Sequence, residues 1–150
     1  MLIQTKYFGE IEINKEQIIE FTQGIPGFLE ERQFVLLPLE ENEFFYVLQS
    51  VKHANPAFIV VNPFHFVSQY EFDLDEVTLK LLDIESQSDV QVLCIVSLKE
   101  PFETSTANLQ APIIINHKNK RARQYITNSK DYSTKERLFM KSNTSEVKED

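Results

Sequence analysis

The sequence predicts a mostly β protein: a small antiparallel β-barrel-like single domain with one short helix. Most apolar runs are short, rich in Val, Ile and Phe, and end in Pro or Asn. This is the pattern of an antiparallel sheet that curls into a small barrel or a sandwich. Only one segment shows helical spacing instead. The 150 residues, 42% of them hydrophobic, suffice for one domain with a sizeable core.

Eight segments have the pattern of strands. The first, residues 6–13, alternates around Gly9 and fits either a strand or a hairpin. Residues 64–72 also alternate, and most of the others are short, continuous apolar runs typical of buried strands. These other predicted strands are residues 33–38, 44–50, 57–61, 90–98, 112–116 and 121–127.

Residues 73–83 predict the helix. Asp73 and Asp75 suit its N-cap and first turn, and we expect it to pack over a sheet face or a barrel end. Residues 15–20 fit a helical turn or a strand equally well. The apolar positions that give residues 73–83 their helical spacing are Leu74, Val77, Leu81 and Leu82.

Residues 23–28, Gln-Gly-Ile-Pro-Gly-Phe, have the composition of a turn. The two glycines permit positive φ, and Pro26 fixes its own φ. The simpler interpretation is a tight loop that inserts Ile25 and Phe28 into the core. The alternative is a rigid loop that displays Phe28 as an anchor for a partner.

We expect one β domain over residues 1–128, followed by a polar, disordered tail over residues 129–150. The N-terminus lacks the pattern of a signal peptide, and no apolar stretch approaches the roughly 20 residues that span a bilayer. The only cysteine, Cys94, lies in an apolar run and is expected to be a small buried side chain. We therefore expect a soluble, cytoplasmic protein that does not bind membranes.

The formal net charge of −8 is unevenly distributed. Residues 1–100 hold 17 acids and 6 bases, a net −11, and residues 101–150 hold 6 acids and 9 bases, a net +3. An acidic balance favours solubility or a basic protein partner, and it disfavours direct nucleic-acid binding because it repels phosphates. The basic residues 118–123 fit a charged hairpin tip better than a phosphate-facing patch.

Residue patterns that would predict catalysis or a cofactor are missing from the sequence. His53, His65 and His117 lack the short ligand spacing of a metal site. The carboxylates of Asp73 and Asp75 fit the start of the predicted helix better than acid–base chemistry. We therefore expect a binding protein, not an enzyme, without metal or cofactor; a hydrolase with a scattered active site is the less favoured alternative.

Three short stretches of the sequence together resemble the motifs of a known family. They are residues 23–28, the phrase Asn-Pro-Phe-His-Phe-Val-Ser-Gln-Tyr at 62–70, and the phrase Asn-Leu-Gln-Ala-Pro-Ile-Ile-Ile-Asn at 108–116. Each phrase is weak alone, but the three in this order are specific. Over residues 2–128 the sequence resembles the family of the flagellar assembly factor FliW.

This resemblance implies a non-enzymatic, partner-switching protein with a small β-barrel-type fold. It implies two partners: flagellin in the cytoplasm, and CsrA, a small dimeric RNA-binding repressor of flagellin translation. In the family picture, FliW that is freed by flagellin export captures CsrA, and translation resumes. The apolar amphipathic termini of flagellin need an apolar groove. The alternative function is a dedicated flagellin chaperone without a role in translation.

The resemblance also implies three regions that shape partner binding, although the same residues also suit fold maintenance alone. From charge, we add an acidic patch that faces CsrA and binds it away from its RNA face. The three family-matching regions are Ile25, Pro26 and Phe28; Asn62, Pro63, Phe66 and Tyr70; and Asn108, Ala111 and Pro112. The acidic patch is Glu71, Asp73, Asp75 and Glu76.

Overall fold

The computed structural model describes residues 1–40 and 42–139, which form eleven strands and one α-helix. Helix α1 is Glu76–Leu81, and no helix in the described residues is long and apolar enough to span a bilayer. The strands are β1 (Leu2–Gln4), β2 (Glu10–Glu12), β3 (Ile19–Phe21), β4 (Gln33–Leu39), β5 (Asn42–Ser50), β6 (Ala57–Val61), β7 (Val90–Ser97), β8 (Thr106–Ala107), β9 (Ile113–Asn116), β10 (Arg121–Gln124) and β11 (Glu136–Arg137).

Seven of the strands close into a barrel. From β3 the ring runs through β4, β5, β6, β7, β9 and β10 and returns to β3. Every neighbouring pair is antiparallel except β10 with β3, which is parallel and places Arg121 beside Glu20. An odd number of strands cannot alternate in direction all the way round a closed ring, so one parallel pair is unavoidable. The predicted mostly β, barrel-like single domain with one short helix is confirmed.

Most of the barrel strands are buried on both faces over much of their length. Phe34 lies in the barrel interior, where its ring meets Phe21 edge to face at 5.3 Å between centroids. The next residue, Val35, points outward into a second cluster of buried side chains on the outside of the barrel, which we call the outer core and which includes Val47 and Cys94. Successive residues of a strand point to opposite faces, so burial of both faces requires continuous apolar runs rather than alternation. This explains the pattern of the predicted buried strands.

Residues 64–72, predicted as a strand from their alternation, do not form one. Asn62 Oδ1 accepts a hydrogen bond from the Phe64 N–H at 2.9 Å, and Pro63–His65 forms a 3₁₀ turn. The segment then crosses the outer core, and Phe66 and Tyr70 pack into it. The alternating apolar residues therefore result from an irregular segment that packs against the outer core, and not from a strand. Pro63 lacks the N–H that a strand ladder would use.

The start of the chain also covers the outer core. Strands β1 and β2 form a hairpin with Ile3 opposite Ile11. The predicted segment 6–13 supplies only its turn and β2, because β1 lies before that segment. Ile3 is buried in the outer core. Residues 15–20 contain both of the predicted alternatives, because the 3₁₀ turn Lys15–Gln17 leads directly into β3.

The C-terminal segment differs from the expected tail. Strand β11 pairs with β8, Leu138 is 3% exposed, and Tyr132 and Phe139 pack against the outer core. These apolar side chains bind the segment to the domain up to residue 139, because the outer core offers them buried positions. Residues 140–150, the rest of the expected tail, lie outside the described residues.

Candidate partner-binding grooves

An apolar groove with acidic edges lies between residues 70–74 and the loop that follows helix α1. Its volume is about 560 Å³. We call it the acidic groove. Its apolar lining includes Phe72, Leu74, Leu79, Ile84, Val92 and Ile114, and its carboxylates are Glu71, Asp73 and Glu85.

The backbone that carries these carboxylates is fixed by hydrogen bonds. The Glu71 N–H donates to the Tyr132 hydroxyl at 3.0 Å, and the Tyr125 hydroxyl donates to the Asp73 carbonyl at 2.9 Å. The side chains of Glu71, Asp73 and Glu85 are exposed, and none of them is in an ion pair with another described residue. The groove therefore presents three carboxylates outside any ion pair of the described residues, beside an apolar lining.

Asp75 and Glu76, the other two residues of the predicted acidic patch, lie at the start of α1. Asp75 caps the helix: its Oδ1 accepts a hydrogen bond from the Thr78 N–H at 2.9 Å. This bond and a hydrogen bond from the Thr78 hydroxyl lower the pKa of the Asp75 carboxyl. The cap also makes α1 shorter than the predicted 73–83. Glu76 is exposed in the first turn.

An ion pair between the buried Asp89 and the exposed Lys118 supports the loop on the far side of the acidic groove. Asp89 is 1% exposed, and its Oδ1 lies 3.0 Å from Lys118 Nζ. Its Oδ2 accepts hydrogen bonds from the backbone N–H groups of Glu85 and Ser86, each at 3.1 Å. The hydrogen bond with Lys118 and these backbone donors lower the pKa of the Asp89 carboxyl, and the same pair raises the pKa of Lys118.

The basic residues 118–123 are partly used inside the fold. Lys118 pairs with Asp89, and Arg123 donates a hydrogen bond to the Thr78 hydroxyl at 2.8 Å. Two of the four basic residues of this stretch, Lys118 in the turn between β9 and β10 and Arg123 in β10, therefore already have partners within the fold. This arrangement favours the interpretation as a charged hairpin tip.

The second and third family regions meet around Tyr70. Its buried hydroxyl donates to the Leu109 carbonyl, and burial raises the pKa of the Tyr70 phenol. Asn108 Oδ1 accepts hydrogen bonds from the N–H groups of Gln110 at 3.2 Å and Ala111 at 3.1 Å, as Asn62 does for Phe64. Ala111 and Pro112 are buried, as is Pro63, and Phe66 is half-buried. The Asn residues of these regions turn the backbone. Of the seven residues named for the second and third family regions, only Tyr70 lines the acidic groove.

The first family region lies elsewhere on the barrel. It follows β3, whereas residues 62–70 follow β6, and the intervening antiparallel pairings make β3 and β6 run in opposite directions. The two regions therefore lie at opposite ends of the barrel. Ile25 is 1% exposed in the interior core, while Pro26 and Phe28 are exposed. Phe28 packs edge to face on Phe58 at 5.4 Å, so the core-inserting interpretation holds for Ile25 only.

A second groove was not predicted from the sequence. We call it the hairpin groove, because the turn of the β1–β2 hairpin forms one wall. Its volume is about 910 Å³. Four of its side chains are large, apolar and exposed: Tyr7, Phe8, Leu98 and Phe102. Aromatic residues beside Gly9 and large apolar residues just after β7 are the sequence signal that marks it.

Within the part of the chain that the structure describes, no cluster of three or more His, Cys, Asp or Glu side chains has the geometry to hold a metal ion. Ser50, Glu31 and His53 do converge: the Ser50 hydroxyl donates to Glu31, and His53 Nδ1 lies 2.9 Å from the other Glu31 oxygen. Glu31 lies between the two, so the hydroxyl lacks the histidine base that activates a nucleophile. Burial raises the pKa of the Cys94 thiol to about 12, which makes it unreactive.

Comparison with known proteins agrees with the resemblance seen in the sequence. The model of the family described as FliW protein matches residues 2–138. The flagellar assembly factor FliW of Bacillus subtilis is 58% identical over 135 residues, which is 90% of this chain and 94% of that protein. The FliW of Geobacillus thermodenitrificans is 49% identical over 139 residues, 93% of this chain and 96% of that protein.

The fold agrees as well. A crystal structure of the flagellar assembly factor FliW superposes with a TM-score of 0.89 at 47% sequence identity, and the match covers 93% of this chain and 97% of that one. The predicted resemblance is thereby confirmed. With a matching family model over nearly all of the described residues, close relatives and the same barrel, the chain belongs to the FliW family of flagellar assembly factors.

Proposed function

We propose that this flagellar assembly factor binds flagellin in the cytoplasm and antagonises the RNA-binding repressor CsrA, so that flagellin synthesis follows flagellin export. The observation that carries the proposal is the acidic groove, which combines an apolar lining with three carboxylates that form no ion pair with another described residue. Such a groove suits a basic protein partner that also buries apolar side chains. The protein acts by binding and not as an enzyme.

Charge supports the choice of partner. An RNA-binding repressor carries basic residues to contact phosphates, whereas this chain has a net charge of −8. Opposite charges accelerate and orient the encounter of two proteins. The same negative charge repels RNA, so the protein acts on translation through CsrA and without touching nucleic acid itself.

The switch follows from linked binding. Flagellin that accumulates before export holds this protein, and CsrA is then free to repress translation. Export releases the protein, which binds CsrA away from its RNA face and lowers the affinity of CsrA for RNA. The two partners must therefore weaken each other's binding, either by sharing surface or by coupling through the fold.

The proposed contact with CsrA centres on Glu71, Asp73 and Glu76 of the acidic patch, with Glu85 added by the structure. Asp75 contributes mainly as the cap of α1. Among the family regions, Tyr70 lines the same groove. Asn62, Pro63, Asn108, Ala111 and Pro112 hold the backbone around it, and we propose no direct contact for them.

Charge-neutral variants test this assignment. The double variant Glu71→Gln and Asp73→Asn should weaken CsrA binding about tenfold, because each exposed charge contributes up to about 1 kcal/mol. The matched control is Glu16→Gln with Glu30→Gln, which removes the same charge at exposed positions outside the groove. Equal weakening by both doubles would reduce the effect to net charge, and no weakening by either would remove the groove from the contact.

A dedicated flagellin chaperone is the second candidate, and the apolar hairpin groove favours it. An apolar groove serves a chaperone without any partner in translation. Titration of the purified protein with CsrA separates the two functions. Binding at micromolar concentration supports the switch, and its absence under conditions where flagellin binds supports the chaperone.

A further inference from the structure

Two tyrosine hydroxyls hold the wall of the acidic groove that carries Glu71 and Asp73. The Tyr132 hydroxyl accepts a hydrogen bond from the Glu71 N–H at 3.0 Å and donates to the Gln69 carbonyl at 3.3 Å. The Tyr125 hydroxyl donates to the Asp73 carbonyl at 2.9 Å. Both tyrosines therefore grip the backbone of this wall, and we call them the tyrosine clamp.

The wall has no hydrogen-bonded backbone structure of its own. Residues 71–74 belong to neither a strand nor a helix, and they form no backbone–backbone hydrogen bond with any other described residue. Side-chain contacts hold them instead. The Tyr132 ring packs edge to face on Tyr70 at 4.7 Å between centroids, and the Tyr125 ring stacks on Phe72 at 6.0 Å. The clamp therefore determines where this backbone lies.

The clamp is held in turn by the third family phrase, residues 108–116. The Tyr125 N–H donates to the Pro112 carbonyl at 2.8 Å, and the Gln110 side-chain amide donates to the Tyr132 carbonyl at 3.2 Å. The phrase thus connects the barrel to both tyrosines. A fixed support behind the clamp fixes the wall in front of it as well.

The position of the wall matters because the side chains of Glu71 and Asp73 are exposed. The attraction between a carboxylate and a basic group falls with their separation, and a side chain on a fixed backbone loses less freedom on binding. We propose that Tyr125 and Tyr132 are positioning residues, which hold these two carboxylates in the arrangement that a basic protein partner recognises. This inference rests on the proposed function in taking CsrA as that partner.

Amide hydrogen exchange in the free protein, followed by NMR, tests the clamp without any partner. Tyr132→Phe removes the acceptor of the Glu71 N–H, so this amide should exchange about three- to tenfold faster, the effect of losing one modest hydrogen bond. The amides of β6 should keep their rates. Tyr7→Phe, at an exposed tyrosine outside the acidic groove, is the matched control and should change neither. An unchanged Glu71 rate, or equal acceleration throughout the barrel, would overturn the inference.

Affinity for CsrA tests whether the clamp acts through the carboxylates. Tyr125→Phe combined with Tyr132→Phe should weaken CsrA binding about three- to tenfold, and no more than Glu71→Gln combined with Asp73→Asn does. All four substitutions together should weaken binding no further than the charge-neutral pair alone, because a misplaced carboxylate and a missing one lose the same attraction. Unfolding curves verify that each variant is folded. A combined loss equal to the product of the two separate losses would show independent effects and overturn the positioning role.

The two experiments separate this inference from the proposed function. Faster Glu71 exchange together with weaker, non-additive CsrA binding supports both. Faster Glu71 exchange in a chain that does not bind CsrA at micromolar concentration supports the clamp and contradicts the proposed function. CsrA binding that the clamp variants leave unchanged supports the proposed function and overturns the positioning role.

Discussion

Gly24 is the position in the 23–28 loop that the structure restricts most tightly. Its φ is +69°, and a Cβ added there would lie 2.5 Å from the Leu29 carbonyl oxygen and 2.7 Å from Leu29 Cα. Gly9 has nearly the same φ, +68°, but an added Cβ there would meet nothing within 4 Å. The variants Gly24→Ala and Gly9→Ala thus share the backbone strain and differ in the steric contact.

The two contributions can be estimated separately. Alanine in the left-handed region costs about 1–2 kcal/mol, offset by about 0.4–1 kcal/mol because alanine restricts the unfolded chain. Gly9→Ala should therefore lower the free energy of unfolding by about 1 kcal/mol. At Gly24 the added methyl group meets backbone that cannot rotate away, and such overpacking costs a further 1–3 kcal/mol or so. The expected total is about 2–4 kcal/mol.

Thermal and urea unfolding measure the difference. In a domain of this size about 1 kcal/mol lowers Tm by roughly 2–4 °C, so Gly24→Ala should lower Tm by about 5–15 °C and Gly9→Ala by about 2–4 °C. Equal shifts in the two variants would refute the reasoning, because the contact with Leu29 would then contribute nothing. A stable Gly24→Ala variant would refute the described geometry of the loop.

Two further predictions concern buried polar groups. Tyr70→Phe leaves the buried Leu109 carbonyl without its donor and should lower the free energy of unfolding by about 1–2 kcal/mol. The control Tyr132→Phe removes a hydroxyl whose hydrogen bonds are exposed, so it should lower the free energy of unfolding clearly less. Equal losses of unfolding free energy in the two variants, measured by urea unfolding, would contradict this. The pKa of Asp89 is lowered in the folded state. Its ionised carboxylate therefore adds to the free energy of unfolding above the unfolded-state pKa of about 3.9, and this stabilisation is lost as pH falls through the folded-state pKa. Asp89→Asn should therefore be less stable than the unsubstituted chain at neutral pH, with a gap that narrows below about pH 4; a pH-independent gap in urea unfolding would count against the Lys118 pair.

Most of the fold follows from sequence pattern because most of the barrel strands are buried on both faces over much of their length. Short, continuous apolar runs such as residues 57–61 and 90–98 are typical of buried strands in a domain of this size. The pattern misleads at residues 64–72, where an irregular segment packs Phe66 and Tyr70 into the outer core with strand-like spacing. Strand β8 was missed because two residues carry no periodicity.

The sites are less predictable, since a groove is formed by segments distant in sequence. The acidic groove combines Asp73 with Glu85 and Ile114, a grouping that spacing along the chain does not contain. The family phrases mark the fold more than a contact surface: Asn62 and Asn108 turn the backbone, and Ile25 fills the barrel. Residues 129–139 were assigned to the tail because three apolar residues among polar ones do not predict burial.

The central claim is that flagellin and CsrA weaken each other's binding to this protein. The direct measurement is calorimetric titration of CsrA into the purified protein, alone and saturated with flagellin, followed by the reverse titration. Because linkage is reciprocal, the account predicts that flagellin lowers the affinity for CsrA by about tenfold or more, and that CsrA lowers the affinity for flagellin by the same factor. A ternary complex with both affinities unchanged would contradict it.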